Sequence, residues 1–154
     1  MPITAEDRAR ERIDALLEAA GWVIQDMDNF NLDASLGVAI REFPTNAGYA
    51  DYMLFVDKQA AGAIEAKPVG TTLGGVSEQS AKYIKDFKKE IPHVQNPLPF
   101  AYESTGEETR FRDERDPHPR SRRVFAFHQP DTLHDWVQQD DTLRARLQQF
   151  PPLD

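Results

Sequence analysis

At 154 residues the chain fits one domain, enough for a single core to remove roughly 70% of the unfolded surface from water. No run of about 18 apolar residues exists, the opening residues 1–8 lack the apolar stretch of a signal peptide, and cysteine is absent. These features exclude a membrane helix, a disulfide framework and a thiolate zinc site, and they make the cytoplasm the expected compartment.

In chain order, the first predicted element is a helix. Ile13, Leu16, Leu17 and Ala20 follow the i, i+3, i+4, i+7 pattern, Thr4 suits the N-cap, and Gly21 suits the stop. Trp22, Val23 and Ile24 read as a short buried segment, and residues 26–35 as polar turns. Strands are predicted over 38–43, 49–56 and 62–67. The second is almost wholly apolar, so both of its faces should be buried, and the short connection after it predicts an antiparallel neighbour. A loop containing Gly70, Gly74 and Gly75 leads to a helix capped by Ser77 and running to about Glu90, with Ala81, Ile84 and Phe87 on its apolar face. No Gly-Lys-Ser/Thr follows these glycines, so they form no phosphate-binding loop and no ATP site is expected. Strands are then predicted over 99–103, around 109–112 and over 123–128, and two short helices over 132–139 and 142–149. The sum is a mixed α/β (α+β) sheet covered by helices.

Two strands carry charge where apolar residues are expected. Glu65 and Lys67 alternate with Ala66 and so project from one face, and Asp51 interrupts the apolar run 49–56. Unpaired charges there are costly. If neighbouring strands bring Asp51 beside Glu65, two carboxylates meet with an ammonium nearby. Such a pair repels unless a cation lies between, and hard oxygen ligands suit Mg²⁺, with Mn²⁺ as a substitute. The backbone carbonyl of Ala66 is a candidate further ligand, and Lys67 would orient a water or stabilise the transition state. A buried ion pair holding the sheet in register would use the same residues.

The net charge of −8 is unfavourable for contacts with phosphates, but distribution matters more than the total. Six arginines (Arg110, Arg112, Arg115, Arg120, Arg122, Arg123) face three acids over residues 110–123, and Lys82, Lys85, Lys88 and Lys89 form a second basic cluster. A solvated loop would account for the arginines equally well. His93, His118, His128 and His134 have no ligand spacing, and Trp22 and Trp136 read as core contacts.

Several motifs in order resemble the N-terminal nuclease domain of type I restriction enzyme R subunits, a branch of the PD-(D/E)xK nuclease superfamily. They are the helix from Arg12-Ile13-Asp14 to Gly21-Trp22, Gly48-Tyr49-Ala50-Asp51-Tyr52 (a "GxADY" strand), Ile64-Glu65-Ala66-Lys67 ("IEAK"), and Gln79-Ser80-Ala81-Lys82-Tyr83 (QxxxY). Later strands, Pro99 to Tyr102 and Val124 to Pro130, extend the likeness over most of the chain. Ala50 replaces the usual proline before the catalytic aspartate, and Glu103-Ser104-Thr105-Gly106 stands where a Thr-Asn-Gly turn is common.

The resemblance implies a PD-(D/E)xK core, a central mixed β-sheet flanked by helices, that cuts double-stranded DNA. It implies that Asp51 and Glu65 bind metal and Lys67 is catalytic. Gln79 and Tyr83, one turn apart, would face the centre and, with Lys82, Arg120, Arg122 and Arg123, contact or position DNA. Glu6 or Glu11 would supply an accessory acid from the first helix. Residues 1–154 are then expected to be one nuclease domain of a larger R subunit, without its translocase domains and working with methylation and specificity subunits. A non-catalytic nucleic-acid-binding or assembly module of the same fold, or a stand-alone nuclease on another DNA substrate, remains an alternative.

Overall fold

The computed structural model describes residues 4–73 and 78–147, with side chains undescribed at 78, 79 and 140–147. The described elements are α1 (Ala5–Ala19), β1 (Val23–Asp26), two single-turn 3₁₀ helices (Met27–Asn29 and Leu32–Ala34), β2 (Gly37–Thr45), β3 (Gly48–Val56) and β4 (Gln59–Ala66). After these come α2 (Glu78–Lys85), β5 (Phe100–Ser104), β6 (Thr109–Asp113), β7 (Arg122–Val124) and α3 (Pro130–Leu147). The strands form one sheet in sequence order, β1 to β7. β1–β2 and β4–β5 are parallel and the other neighbours antiparallel. This is the mixed sheet flanked by helices that the pattern predicts.

Parallel neighbours need a crossover rather than a hairpin. The one between β4 and β5 carries α2 and leaves it on one face of the sheet, beside β3, β4 and β5. α1 and α3 pack on the other face. Side-chain alternation then sorts two cores. Tyr52, Leu54, Ile64, Ala66, Phe100, Tyr102 and Phe111 join Ile13, Leu17 and Leu133. Met53, Phe55, Ala63 and Ala101 join Tyr83, Ile84 and Phe87.

Local chemistry explains the boundaries. Thr4 closes a capping box with Asp7, and α1 stops where Gly21 takes φ +98°, letting the Trp22 amide reach back to the Leu17 carbonyl at 3.0 Å. β3 and β4 are joined by Asp57 and Lys58, both at positive φ, a two-residue hairpin. Gly62 allows the close approach of β5: a Cβ there would lie 2.5 Å from the Phe100 carbonyl oxygen.

Several expectations need correction. Pro44 does not end β2, which runs to Thr45; β1 pairs only as far as Arg41, so Pro44 needs no donor on that side. Helix α2 ends at Lys85 rather than near Glu90, although Phe87 is still buried; Ser77, Gly74 and Gly75 lie outside the described residues. The last strand is three residues long, because after Val124 the chain turns Phe127 into the core and leaves Phe125 fully exposed. The two terminal helices are one, α3. Val23 is 37% exposed rather than buried, as befits an edge strand. Among the described residues, no helix is long and apolar enough to cross a membrane.

Candidate active site

Pairing between β3 and β4 shifts register once, between Leu54 and Phe55, and runs as far as Tyr52 opposite Ile64. Beyond that pair the Asp51 side chain enters the ladder. Its Oδ2 accepts the Ala66 backbone amide at 2.8 Å, and its Oδ1 accepts Arg10 Nη2 from α1 at 2.6 Å. Asp51 is thereby anchored between the strand carrying Glu65 and the first helix. Arg10 is the hub of an acidic group, since Glu6 and Glu42 each lie 3.6 Å from it. Glu42 sits at φ +47°, a conformation that L residues adopt at a cost.

Glu65 lies on the α2 face with little exposure. Lys67 Nζ is 3.7 Å from its Oε1, while its Oε2 is buried with no hydrogen-bond partner. Burial, then the charge of Asp51, push its pKa up to about 7, against the opposing pull of Lys67. Tyr83, on α2, faces this carboxyl: burial first, and then the charges of Glu65 and Asp51 and a hydrogen bond with Glu65, raise its pKa. Lys82 is close enough for its charge to act on Glu65, and its Nζ lies 5.1 Å from the Tyr83 ring centroid.

The parallel register pairs Glu65 with Glu103, and the antiparallel ones pair Glu103 with Arg110 and Arg110 with Arg123. One row across four strands thus passes from two acids to two arginines on the α2 face. Glu103 is 4% exposed; its Oε1 accepts the Ser80 hydroxyl at 3.3 Å and its Oε2 has no partner. Burial lifts its pKa to about 6, with Ser80, Lys67, Arg110 and Arg112 opposing.

The site residues expected from the sequence are therefore distributed unevenly. Asp51, Glu65, Lys67, Tyr83 and Lys82 converge. Glu6 reaches the cluster through Arg10, whereas Glu11 is exposed and forms no ion pair among the described residues. The side chain of Gln79 lies outside the described residues. Arg123 is on the row facing α2, but Arg122 is on the opposite face, its guanidinium 5.5 Å from the Phe111 ring centroid, and Arg120 is exposed before β7. Of the second basic cluster, Lys89 closes the end of α2 by donating to the Lys85 and Phe87 carbonyls.

Sequence reasoning missed Arg10 and Glu103. Arg10 left no signal, since its partner lies 41 residues away. Glu103 did leave one: an acid at the end of an apolar strand, Phe100-Ala101-Tyr102-Glu103, is the mark that singled out Asp51 and Glu65.

The Glu65 oxygen supplies the test for a cation. A buried carboxylate oxygen without a donor, beside a second carboxylate that raises its pKa, is what a hard divalent ion would satisfy. The Asp51 oxygens each accept one hydrogen bond and keep further lone pairs. The donors present fit such an ion. No cluster of three or more His, Cys, Asp or Glu that could hold a metal occurs among the described residues, so a site here would rest on two carboxylates, with backbone or water completing it.

Comparison with known proteins agrees with the motifs. The type I restriction enzyme EcoKI endonuclease subunit of Escherichia coli (strain K12) is 26% identical over an aligned length of 182 residues, covering 84% of this chain and 15% of that protein. The chain therefore spans only a small part of that relative. No solved structure matches the chain. A family model described as "Type I restriction enzyme EcoKI endonuclease subunit second domain" matches residues 33–110, half of the chain and the part holding Asp51, Glu65, Lys67 and Glu103. The chain belongs to this family of type I restriction enzyme endonuclease-subunit domains.

Proposed function

We propose that the chain is a DNA-cutting domain of a type I restriction enzyme R subunit, hydrolysing phosphodiester bonds of duplex DNA with Mg²⁺, for which Mn²⁺ can substitute. The observation carrying this reading is Glu65: one oxygen buried and unpartnered, the other 3.7 Å from the Lys67 ammonium, with Asp51 alongside. Asp51 and Glu65 would hold the cation, and the Ala66 carbonyl is the proposed backbone ligand. A cation bound there supplies polarisation of the scissile phosphate, charge neutralisation and acidification of a water.

The chain's own groups do the rest. Arg10 and the Ala66 amide aim Asp51. Lys67 presents a positive charge on the Glu65 face, suited to the negative charge that builds on the phosphate. Tyr83 and Lys82 border the centre on α2 and, with Gln79 from the same helix, would hold or position the DNA backbone; Arg123 extends the positive charge toward the sheet edge. Target choice would fall to a specificity subunit, with a methylation subunit completing the complex.

One observation favours a second reading. Asp51 already has a guanidinium partner in Arg10, so the cluster can neutralise part of its charge with no metal, as in a non-catalytic assembly or nucleic-acid-binding module. Plasmid cleavage across an Mg²⁺ titration separates the two readings. The parent chain should nick or linearise DNA only with the cation. Asp51→Ala and Lys67→Ala should each lose about a hundredfold or more while remaining folded. Equal cutting by all three would sink the assignment.

A further inference from the structure

Glu103 is an expensive residue with no evident structural duty. A carboxylate this buried is costly unless it is paired. Ser80 satisfies only Oε1 and leaves Oε2 without a partner. Its placement is specific. Glu103 is in register with Glu65, and the Lys67 amide donates to the Ser104 carbonyl at 2.9 Å, so the parallel pairing continues past both acids. Lys67 therefore projects on the same face as Glu103, one diagonal step away. The Lys67 charge already acts on Glu103, opposing the rise in its pKa, so the ammonium lies within electrostatic reach of that carboxylate.

Lys67 stands beside Glu65 at 3.7 Å. A divalent cation taken up by Glu65 would repel that ammonium, and the two positive charges would compete for one carboxylate. The open oxygen of Glu103 offers the lysine another partner on the adjoining strand. We propose that Glu103 is a positioning residue whose Oε2 receives the Lys67 ammonium when Glu65 engages a divalent cation, keeping the lysine beside the reacting phosphate. This inference rests on the reading of Glu65 and Lys67 as the centre.

Glu103→Gln keeps the shape and an acceptor for Ser80 but removes the charge. At saturating DNA it should lower kcat by about tenfold to a hundredfold, with the Mg²⁺ concentration for half-maximal activity unchanged. Glu103→Asp should recover part of the loss. A second readout needs no turnover: the ¹H–¹⁵N ammonium signal of Lys67, assigned by its loss in Lys67→Arg. With Mg²⁺ bound, the parent should keep a hindered, visible signal, and Glu103→Gln should lose it. Parent-like kcat together with an unchanged Lys67 signal in Glu103→Gln would overturn the proposal. So would a change in Mg²⁺ requirement with kcat intact, which would make Glu103 a ligand instead. Should the parent fail to cut DNA, the nuclease reading falls and the Lys67 signal alone decides the role of Glu103.

Discussion

On the face covered by α1 and α3, buried polar atoms end on partners. Tyr52 donates to Asp14, whose other oxygen takes Arg41 at 2.7 Å, and the Tyr102 hydroxyl lies 2.6 Å from His128 Nδ1. On the face covered by α2, Glu65 and Glu103 each keep a buried oxygen with no hydrogen-bond partner. Both faces belong to the same strands, and neighbouring residues such as Tyr102 and Glu103 differ only in which side they address. The first face is closed and its polarity serves the fold. The second is open, and a protein that bears the cost of an unsatisfied carboxylate holds it for something that arrives later.

The sharpest way to break this contrast is Glu65→Gln. On the open face, removing the charge should lower DNA cleavage about a hundredfold or more. It should nevertheless raise stability in the absence of a divalent cation, because it relieves both burial and the repulsion from Asp51. Chemical denaturation in chelator, paired with plasmid cleavage in Mg²⁺, reads both effects. A destabilised variant would mean that Glu65 is structural, like the groups on the opposite face.

The pH dependence follows with a defined sign. The folded pKa of Glu65, about 7, exceeds its ordinary 4.5, and that of Glu103 is lifted to about 6. Both acids therefore favour the folded state in their protonated form. In chelator, stability should fall as pH rises from about 4.5 to 7, by at most about 3 kcal/mol from Glu65 alone. Glu65→Gln should flatten this slope, and Mg²⁺ should restore stability near neutral pH. Denaturant midpoints across that range in chelator check the sign; a midpoint that rises with pH refutes it.

Tyr102→Phe makes the converse case on the closed face. It leaves the half-buried His128 without the partner of its Nδ1, which should cost about 1 kcal/mol of stability. Cleavage per folded molecule should stay at the parent level, since Tyr102 points away from Glu65. Loss of turnover at full folding would show that the two faces are coupled.

Period and breaker signals made most of the fold legible, because β3 and β4 bury both faces and α1 carries its own cap and stop. The boundaries that failed share a cause: they are set by partners distant in sequence. Pro44 is tolerated where β1 ends, and the last strand is cut short by Phe127 turning inward, neither of which is local information. The candidate site divides in the same way. Asp51, Glu65 and Lys67 announce themselves by interrupting apolar strands. Glu103 carries that mark too, yet its meaning depends on a parallel register with β4 that composition does not specify. Arg10 reads as an ordinary helix charge until the fold brings it to Asp51.

The smallest expected effect tests whether the open face extends as far as the sheet edge. Arg122 and Arg123 are adjacent in sequence, equally charged and both exposed, so no argument from charge separates them. The pleat does. Arg123 shares the row of Glu65, Glu103 and Arg110, while Arg122 lies over Phe111 on the closed face. A duplex laid over the centre should meet only the first. Arg123→Ser should weaken binding of duplex DNA about threefold and lower the slope of log affinity against log salt by about one. Arg122→Ser should leave that slope alone, because its guanidinium serves the aromatic ring beneath it. Fluorescence anisotropy in Ca²⁺, with salt varied, measures both. Equal slopes for the two variants would mean that DNA does not distinguish the faces, and the path across the α2 side would have to be abandoned.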